Sequence, residues 1–182
     1  MGQAAEIKRV LKSGATLLIR SAREDDAEMC LDYLRRVAGE SDFLSFGAGE
    51  LAVTIEEERN LIAKARQSDN SIFLIAEVER EMAGLANFQG GSKPRDRHKG
   101  ELGITVARKY WGHGIGRELM VALIEWAEKN PLIHKMNLRA RADNERAIEL
   151  YRKLGFIEEG VVTRDMLIDG VFYDSLFMGR HV

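Results

Sequence analysis

Three glycines at alternate positions could do chemistry through their backbone. Gly112, Gly114 and Gly116 follow an apolar alternating segment, residues 101–106, and precede a long amphipathic run, LMVALIEWAEKN. This order predicts a strand, a glycine turn and a helix start, where backbone N–H groups lack partners and the helix dipole is positive. Glycines also let a bulky anion approach the backbone closely. The stretch therefore predicts a site for a phosphorylated cofactor.

Two other phosphate motifs do not match this spacing. A Walker-A loop requires GxxxxGK[ST], and no such Lys follows these glycines. A dinucleotide fingerprint requires GxGxxG, usually in the first βα unit, whereas the chain has GxGxG near its middle. The structural alternative is that the glycines only start a helix beside a tightly packed strand. Three alternate glycines before a long helix favour binding.

A second pair of residues lies on a later amphipathic segment. Asn144 and Tyr151 are seven positions apart, so they share one face of the helix predicted there. Taken alone, Asn144 suits a helix cap and Tyr151 suits a core position. The helix follows the strand expected beside the glycine turn, which favours a functional role for both.

Hydrophobic periodicity predicts one α/β domain with mainly antiparallel hairpins and a central βαβ unit. The predicted order is β-α-α-β-β-β-α-β-α-β-β, with about seven strands in a mixed central sheet. Helix caps are predicted at Asp25 or Asp26, at Thr54, and at Asp143 or Asn144. We expect a single domain, residues 1–182, with its core at about 16–180.

Composition limits the class of protein. The 182 residues are 45% hydrophobic and 31% charged with a net charge of -2, as in soluble globular proteins. We expect no nucleic-acid or membrane partner and a cytoplasmic location, because no apolar run resembles a membrane span or a signal peptide. Cys30 is the only cysteine and the four histidines are scattered, so we expect no disulfide and no metal site.

At these motifs the chain resembles the GCN5-related N-acetyltransferase (GNAT) family. The family motif Q/R-x-x-G-x-G/A corresponds to residues 111–116, WGHGIG, with Trp111 in the first position. A YWG start is similar to the branch of ribosomal-protein alanine acetyltransferases. A second family signature, N-x-x-A-x-x-x-Y-x-x-x-GF, corresponds to residues 144–156. The resemblance extends from Thr16 to the C-terminus in element order and implies a GNAT fold.

The resemblance implies that the glycine turn seats the pyrophosphate of acetyl-CoA. It assigns Asn144 to the pantetheine arm and Tyr151 to protonating the departing thiolate, a suitable task for a phenol. Arg117 or Lys153 could meet a cofactor phosphate, or each could be a solvated charge. The implied cofactor-binding residues are Thr105, Val106, Trp111, Gly112, His113, Gly114, Ile115, Gly116, Arg117, Asn144 and Tyr151.

The acceptor must be an amine that loses a proton before it attacks. Glu101 is the candidate base because it lies on the strand expected beside the thioester; the alternative is an exposed strand-edge charge. Asp174 could hold an ammonium group or pair with an arginine. The loop 40–50 should line the acceptor site, and its acids Glu40, Asp42 and Glu50 favour a cationic acceptor.

We therefore predict an N-acetyltransferase that moves an acetyl group from acetyl-CoA to a primary amine directly in a ternary complex. The acceptor would be a small-molecule amine or a protein N-terminus. The resemblance also implies a homodimer. The alternative is a catalytically idle acyl-CoA-binding sensor or an interaction protein.

Overall fold

In residues 4–182, the part of the chain that the computed structural model describes, eight strands form one mixed sheet in the order β1-β2-β3-β4-β5-β6-β8-β7. The strands are β1 (Ile7–Val10), β2 (Thr16–Ser21), β3 (Ile72–Val78), β4 (Glu81–Gly90), β5 (Lys99–Val106), β6 (Lys135–Arg141), β7 (Ile157–Ile168) and β8 (Val171–His181). The helices are α1 (Ala27–Ala38), α2 (Ile55–Gln67), α3 (Ile115–Glu128) and α4 (Glu145–Lys153). The predicted α/β class and element order are confirmed, with one strand added.

The added strand is β1. It pairs antiparallel with β2 at the edge of the sheet, where Ile7 lies opposite Ile19 and Val10 opposite Thr16. Most of its side chains are exposed, so backbone pairing rather than burial stabilises it. The segment IKRV shows no clear alternation of apolar and polar residues, and periodicity therefore did not predict it.

The parallel pair in the middle of the sheet shapes the site. β5 and β6 pair over only three positions, the last being Glu101 opposite Asn137. Beyond it β5 continues to Val106 and β6 to Arg141 without further pairing. The two strands therefore separate and leave a gap at this end of the sheet.

Helices cover both faces of the sheet. α3 and α4 pack in one apolar cluster that includes Leu102, Ile104 and Val106 of β5. α1 and α2 pack on the opposite face through a second cluster, which contains Cys30 and Ile62. Because side chains alternate along a strand, the odd-numbered side chains of β5 face α1 and α2.

The helix starts differ in how they are capped. Thr54 and Glu57 form the predicted capping box before α2, with the Glu57 carboxylate 2.8 Å from the backbone nitrogen of Thr54. Asp26 occupies the N-cap position of α1 but makes no side-chain cap. Its carboxylate instead accepts hydrogen bonds from the Arg20 guanidinium and from the Arg23 backbone nitrogen, each at 2.7 Å, so it joins β2 to the short turn that precedes α1.

Two features of residues 4–182 concern a membrane and a metal ion. None of the helices in this part of the chain combines the length and the apolar character needed to cross a membrane. Over the same residues, His, Cys, Asp and Glu side chains form no group of three placed to hold a metal ion.

Candidate active site

A cavity of about 1550 Å³ lies where β5 and β6 separate. Its glycine-turn side is formed by residues 101–117 and α4, and its loop side by residues 40–50, α1, α2 and the hairpin of β7 and β8. The predicted site residues that line it are Glu101, Thr105, Val106, Trp111, Gly112, Gly114, Ile115, Gly116, Arg117, Asn144 and Tyr151. His113 is not among the lining residues; its Nδ1 lies 3.1 Å from the carbonyl oxygen of Trp111.

The glycine turn adopts a conformation that requires glycine. Gly112 and Gly114 have φ angles of +84° and +87°, in the left-handed region. Gly114 is the N-cap of α3 and offers no side-chain cap, so the first N–H groups of that helix have no partner within it. A Cβ on Gly114 would meet no atom within 4 Å. The space in front of the helix is therefore open to an anion.

Trp111, the departure from the family motif, has a structural contact. Its indole Nε1 donates to the carbonyl oxygen of Val106 at 2.7 Å. The guanidinium of Arg108 lies 5.5 Å from the centre of the indole ring. The tryptophan thus ties the glycine turn to the end of β5, a role that does not need a Gln or Arg side chain.

The backbone groups of β5 point alternately towards β4 and towards β6. Ala107 donates to the carbonyl oxygen of Ala83 at 3.0 Å, so odd-numbered residues direct their backbone groups towards β4. By alternation, Ile104 and Val106 direct theirs into the gap beside β6. Thr105 lines the cavity with its side chain, and Ile104 is a backbone position that the sequence analysis missed.

Asn144 and Tyr151 lie together on α4 and line the gap. The Asn144 Oδ1 accepts a hydrogen bond from the Ala147 backbone nitrogen at 3.3 Å, so the cap interpretation is correct. The amide nitrogen has donors that this cap does not use. Tyr151 is 8% exposed and packs edge-on against Phe156. Burial raises the pKa of Tyr151 to about 12, so the phenol keeps its proton at neutral pH.

Glu101 lies at the point where β5 and β6 stop pairing. Its carboxylate is half exposed, and Oε1 lies 4.0 Å from Nε of Arg139. Arg139 also pairs with Asp165 of β7 at 3.1 Å. The two ion pairs connect β5, β6 and β7 across the mouth of the cavity and leave the Glu101 carboxylate accessible.

The acids of the loop 40–50 have other partners. The carboxylate of Glu40 accepts from the Arg108 backbone nitrogen at 2.6 Å, and that of Glu50 accepts from the Gly47 backbone nitrogen at 2.7 Å. Both residues line the cavity, but their carboxylates already stabilise backbone. Asp42 also lines the cavity and contributes its carbonyl oxygen to the contact described next.

Arg141 organises the loop side and was not singled out from the sequence. It is 8% exposed, and its guanidinium lies between the rings of Phe43 and Tyr173, 4.4 Å and 4.1 Å from their centres. It binds the Asp143 carboxylate at 2.6 Å and 3.0 Å and donates to the Asp42 carbonyl at 3.0 Å. A planar cation suits both the stacking and the paired hydrogen bonds. No periodicity distinguishes it from the other arginines of RARADNER.

Two charged residues that were considered as ligand contacts, Lys153 and Asp174, lie outside the cavity. Lys153 does not line the cavity and pairs with Glu149 at 2.7 Å on the surface of α4. Asp174 does not line the cavity either; its Oδ1 accepts from the Arg164 backbone nitrogen at 2.8 Å. The proposed ammonium-holding role of Asp174 is therefore not supported. Arg146, which the sequence analysis missed, reaches the glycine turn: its guanidinium would lie 3.9 Å from a Cβ on Gly112.

Glu58 is a further residue that the sequence analysis missed. It lines the loop side from α2 and is 5% exposed, and its Oε1 has no hydrogen-bond partner among residues 4–182. Burial raises the pKa of its carboxyl group. The available signal was periodicity, because Glu58 shares a helix face with the buried Ile62 four positions later. Glu58 was not recognised because it directly follows Glu56 and Glu57, the acidic residues at the capping box.

The chain is similar to several known proteins. The Acetyltransferase (GNAT) family profile matches residues 38–156. A GNAT-family acetyltransferase of Streptococcus pneumoniae is similar in structure, with a TM-score of 0.89 and 35% identity over 91% of this chain and 99% of that one. An L-amino acid N-acetyltransferase of Escherichia coli is 28% identical over 107 residues, 59% of this chain and 66% of that protein.

A ribosomal-protein alanine N-acetyltransferase of Escherichia coli is 31% identical over 98 residues, which cover 54% of this chain and 50% of that protein. The chain thus matches between half and two thirds of these two relatives. The branch suggested by the YWG start is represented among them. The matched range 38–156 contains the glycine turn, the gap and the tyrosine of α4. The chain belongs to the acetyltransferase (GNAT) family.

Proposed function

We propose that this protein transfers the acetyl group of acetyl-CoA to a primary amine by direct attack in a ternary complex. One observation supports it most: the glycine turn, the gap between β5 and β6, and Tyr151 open into the same cavity. Anion-binding backbone, an unpaired strand edge and a proton donor are the three groups that a phosphorylated thioester requires. Membership of the family agrees with this chemistry.

The residues of the glycine-turn side would bind the donor. The free N–H groups at the start of α3 suit the pyrophosphate, with Arg117 and Arg146 at its margin. The backbone groups of Ile104 and the backbone N–H of Val106 suit the amides of the pantetheine arm, with Asn144 opposite, whereas the Val106 carbonyl already accepts from Trp111. Acetyl-CoA supplies the activated acyl group, and no metal is needed for the transfer.

Glu101 and Tyr151 would move the protons. Glu101 accepts a proton from the acceptor ammonium group, which frees the nitrogen lone pair. The nitrogen forms a C–N bond with the acetyl carbon and loses its second proton to solvent, the C–S bond breaks, and Tyr151 donates its proton to the sulfur. Tyr151 then recovers a proton from solvent and Glu101 releases one, so the net products are the amide, the thiol and one proton.

The acceptor would be a small-molecule amine or a protein N-terminus. Two similar proteins are named for amino groups of amino acids, one free and one at an alanine of a ribosomal protein. The loop side is enclosed by the loop 40–50 and by the hairpin of β7 and β8, which favours a compact acceptor.

The test is release of free thiol from acetyl-CoA in the presence of a panel of amines. The panel should contain amino acids, alkylamines, polyamines, amino sugars and peptides with free N-termini. We expect thiol release that depends on one amine class, together with a product heavier by one acetyl group in mass spectrometry. Tight acetyl-CoA binding by calorimetry without thiol release from any amine would favour a sensor over an enzyme.

We also propose a homodimer. β7 is an edge strand with exposed apolar residues, including Ile157, Val161 and Leu167, each more than half exposed. Long apolar edges are sites where a second chain adds or packs. Light scattering should give twice the mass of the chain, and Val161→Lys should give the monomer mass. A monomer mass for the wild type would exclude the dimer.

A further inference from the structure

The loop side contains a carboxyl group that residues 4–182 do not satisfy. Glu58 is 5% exposed and lines the cavity, and its Oε1 has no hydrogen-bond partner in this part of the chain. It takes part in none of the salt bridges that connect residues 4–182. A buried carboxylate without a partner is costly, and native structures rarely keep one without a reason. The missing partner is therefore expected to come from a ligand.

The surroundings of Glu58 restrict the chemistry of that ligand. The neighbouring parts of α1, α2, β3 and β4 line the cavity with apolar side chains: Leu34, Val37, Leu61, Phe73 and Leu85. The Cys30 thiol interacts electrostatically with Glu58: it is fully buried, and its pKa is raised by burial and, to a lesser degree, by Glu58. Apolar walls around a single carboxyl group suit a short aliphatic chain that ends in an ammonium group.

The acids of the loop do not offer this interaction. The carboxylates of Glu40 and Glu50 already accept hydrogen bonds from backbone nitrogens, and both residues lie nearer the solvent. Glu101 is half exposed and has Arg139 at 4.0 Å. Glu58 is the buried carboxyl group of the cavity that is still free to accept from a cation.

We propose that Glu58 binds the distal ammonium group of a linear diamine whose other amine is acetylated. This inference rests on the acetyltransferase activity proposed above and names its acceptor class. The aliphatic chain would lie between the apolar side chains of α1, α2, β3 and β4. The distal ammonium keeps its proton and stays on Glu58, while the reacting amine gives its proton to Glu101. Glu58 is thus a specificity residue rather than the base.

The experiment compares diamines with monoamines of the same chain length. Thiol release is measured with putrescine and cadaverine against butylamine and pentylamine, for the wild type, Glu58→Gln and Glu56→Gln. Gln has the shape of Glu but no charge, so the fold should be kept. Glu56 is the matched control, because it lies on the exposed face of the same helix and pairs with Arg59.

We expect kcat/KM of the wild type to be about 10- to 100-fold higher for diamines than for monoamines, as for a hydrogen bond to a charged group. Glu58→Gln should lower the diamine values to those of the monoamines and leave the monoamines unchanged. Glu56→Gln should behave as the wild type. Equal loss on monoamines in Glu58→Gln, or no preference for diamines in the wild type, would overturn the proposal.

A second measurement separates this inference from the proposed activity. Without acetyl-CoA, putrescine should raise the Tm of the wild type and of Glu56→Gln but not that of Glu58→Gln. If no amine releases thiol while this difference in Tm persists, the activity is wrong and the diamine site stands. If monoamines are acetylated as well as diamines and putrescine does not raise the Tm, the diamine site is wrong and the activity stands.

Discussion

The glycine-turn side and the loop side of the cavity are assembled from different kinds of contact. The glycine-turn side takes its residues from two continuous stretches, 101–117 and 144–151, and much of what it offers is backbone. The loop side takes side chains from helices, strands and a loop that are far apart in sequence. Its central contact joins Arg141 to the carbonyl of Asp42, 99 positions away.

This difference explains which side could be recognised first. A backbone site requires particular φ angles at particular positions, and only glycine meets that requirement cheaply at Gly112 and Gly114. A side-chain site requires only that suitable groups converge after folding. If the two sides are as separate in function as they are in construction, a substitution on one side should leave the role of the other side unchanged.

The largest effect is expected at the glycine turn. Gly114→Val places a branched side chain at a φ of +87° and in the path of the anion, so acetyl-CoA affinity should fall about 100-fold or more in calorimetry. Gly14→Val is the matched control, because Gly14 has a φ of +85° in the turn between β1 and β2. The control should show similar strain and normal affinity. Retained affinity in Gly114→Val would contradict the phosphate site.

The next effect concerns the proton donor. Tyr151→Phe should lower kcat about 100-fold with unchanged acetyl-CoA affinity, because only the proton transfer to sulfur is lost. The pKa of Tyr151 is raised from 10 to about 12, so the wild type loses stability as the pH rises from about 10 to 12. Tyr151→Phe should lack that loss in alkaline unfolding curves. An unaltered kcat at every pH would exclude the general-acid role.

A smaller effect is expected for the base. Glu101→Gln should lower kcat/KM about 10-fold for all amines alike, since water can replace an exposed carboxylate in part. Glu58→Gln, in contrast, should affect diamines only. Initial rates with matched diamines and monoamines distinguish the two carboxyl groups. If Glu101→Gln also affected diamines selectively, the division of roles between base and specificity residue would be wrong.

The smallest effect is expected at Arg146, at the edge of the glycine-turn side. Arg146→Ala should weaken acetyl-CoA binding about 3-fold, the size expected for an exposed charge that meets a phosphate. Lys153→Ala, on the same helix but paired with Glu149, should bind acetyl-CoA as the wild type does. Calorimetry at low and moderate salt would measure both. A larger loss of acetyl-CoA affinity in Lys153→Ala than in Arg146→Ala would indicate that Lys153, rather than Arg146, contacts the phosphate.

Much of the fold could be predicted from short sequence motifs. The capping box at Thr54, the cap at Asn144 and the Asp169-Gly170 turn each set one element boundary by a short-range requirement. β1 was missed because its stability comes from pairing with a partner strand rather than from its own side chains. Asp26 was placed correctly at the start of α1, but its ion pair with Arg20 was not predicted, because Arg20 lies on β2.

The sequence by itself determined the glycine turn, the tyrosine and asparagine of α4, and hence the family, because these features are spaced by local helix and turn geometry. Only the tertiary structure decided that β5 and β6 separate after Glu101 and that Arg141 lies between two rings. It also decided that Glu58 lines the cavity with an Oε1 to which no group of residues 4–182 donates a hydrogen bond. Those contacts arise when distant segments pack together, and no spacing along the chain encodes them. The glycine-turn side could therefore be predicted from the order of residues along the chain, whereas the loop side could be identified only from the folded structure.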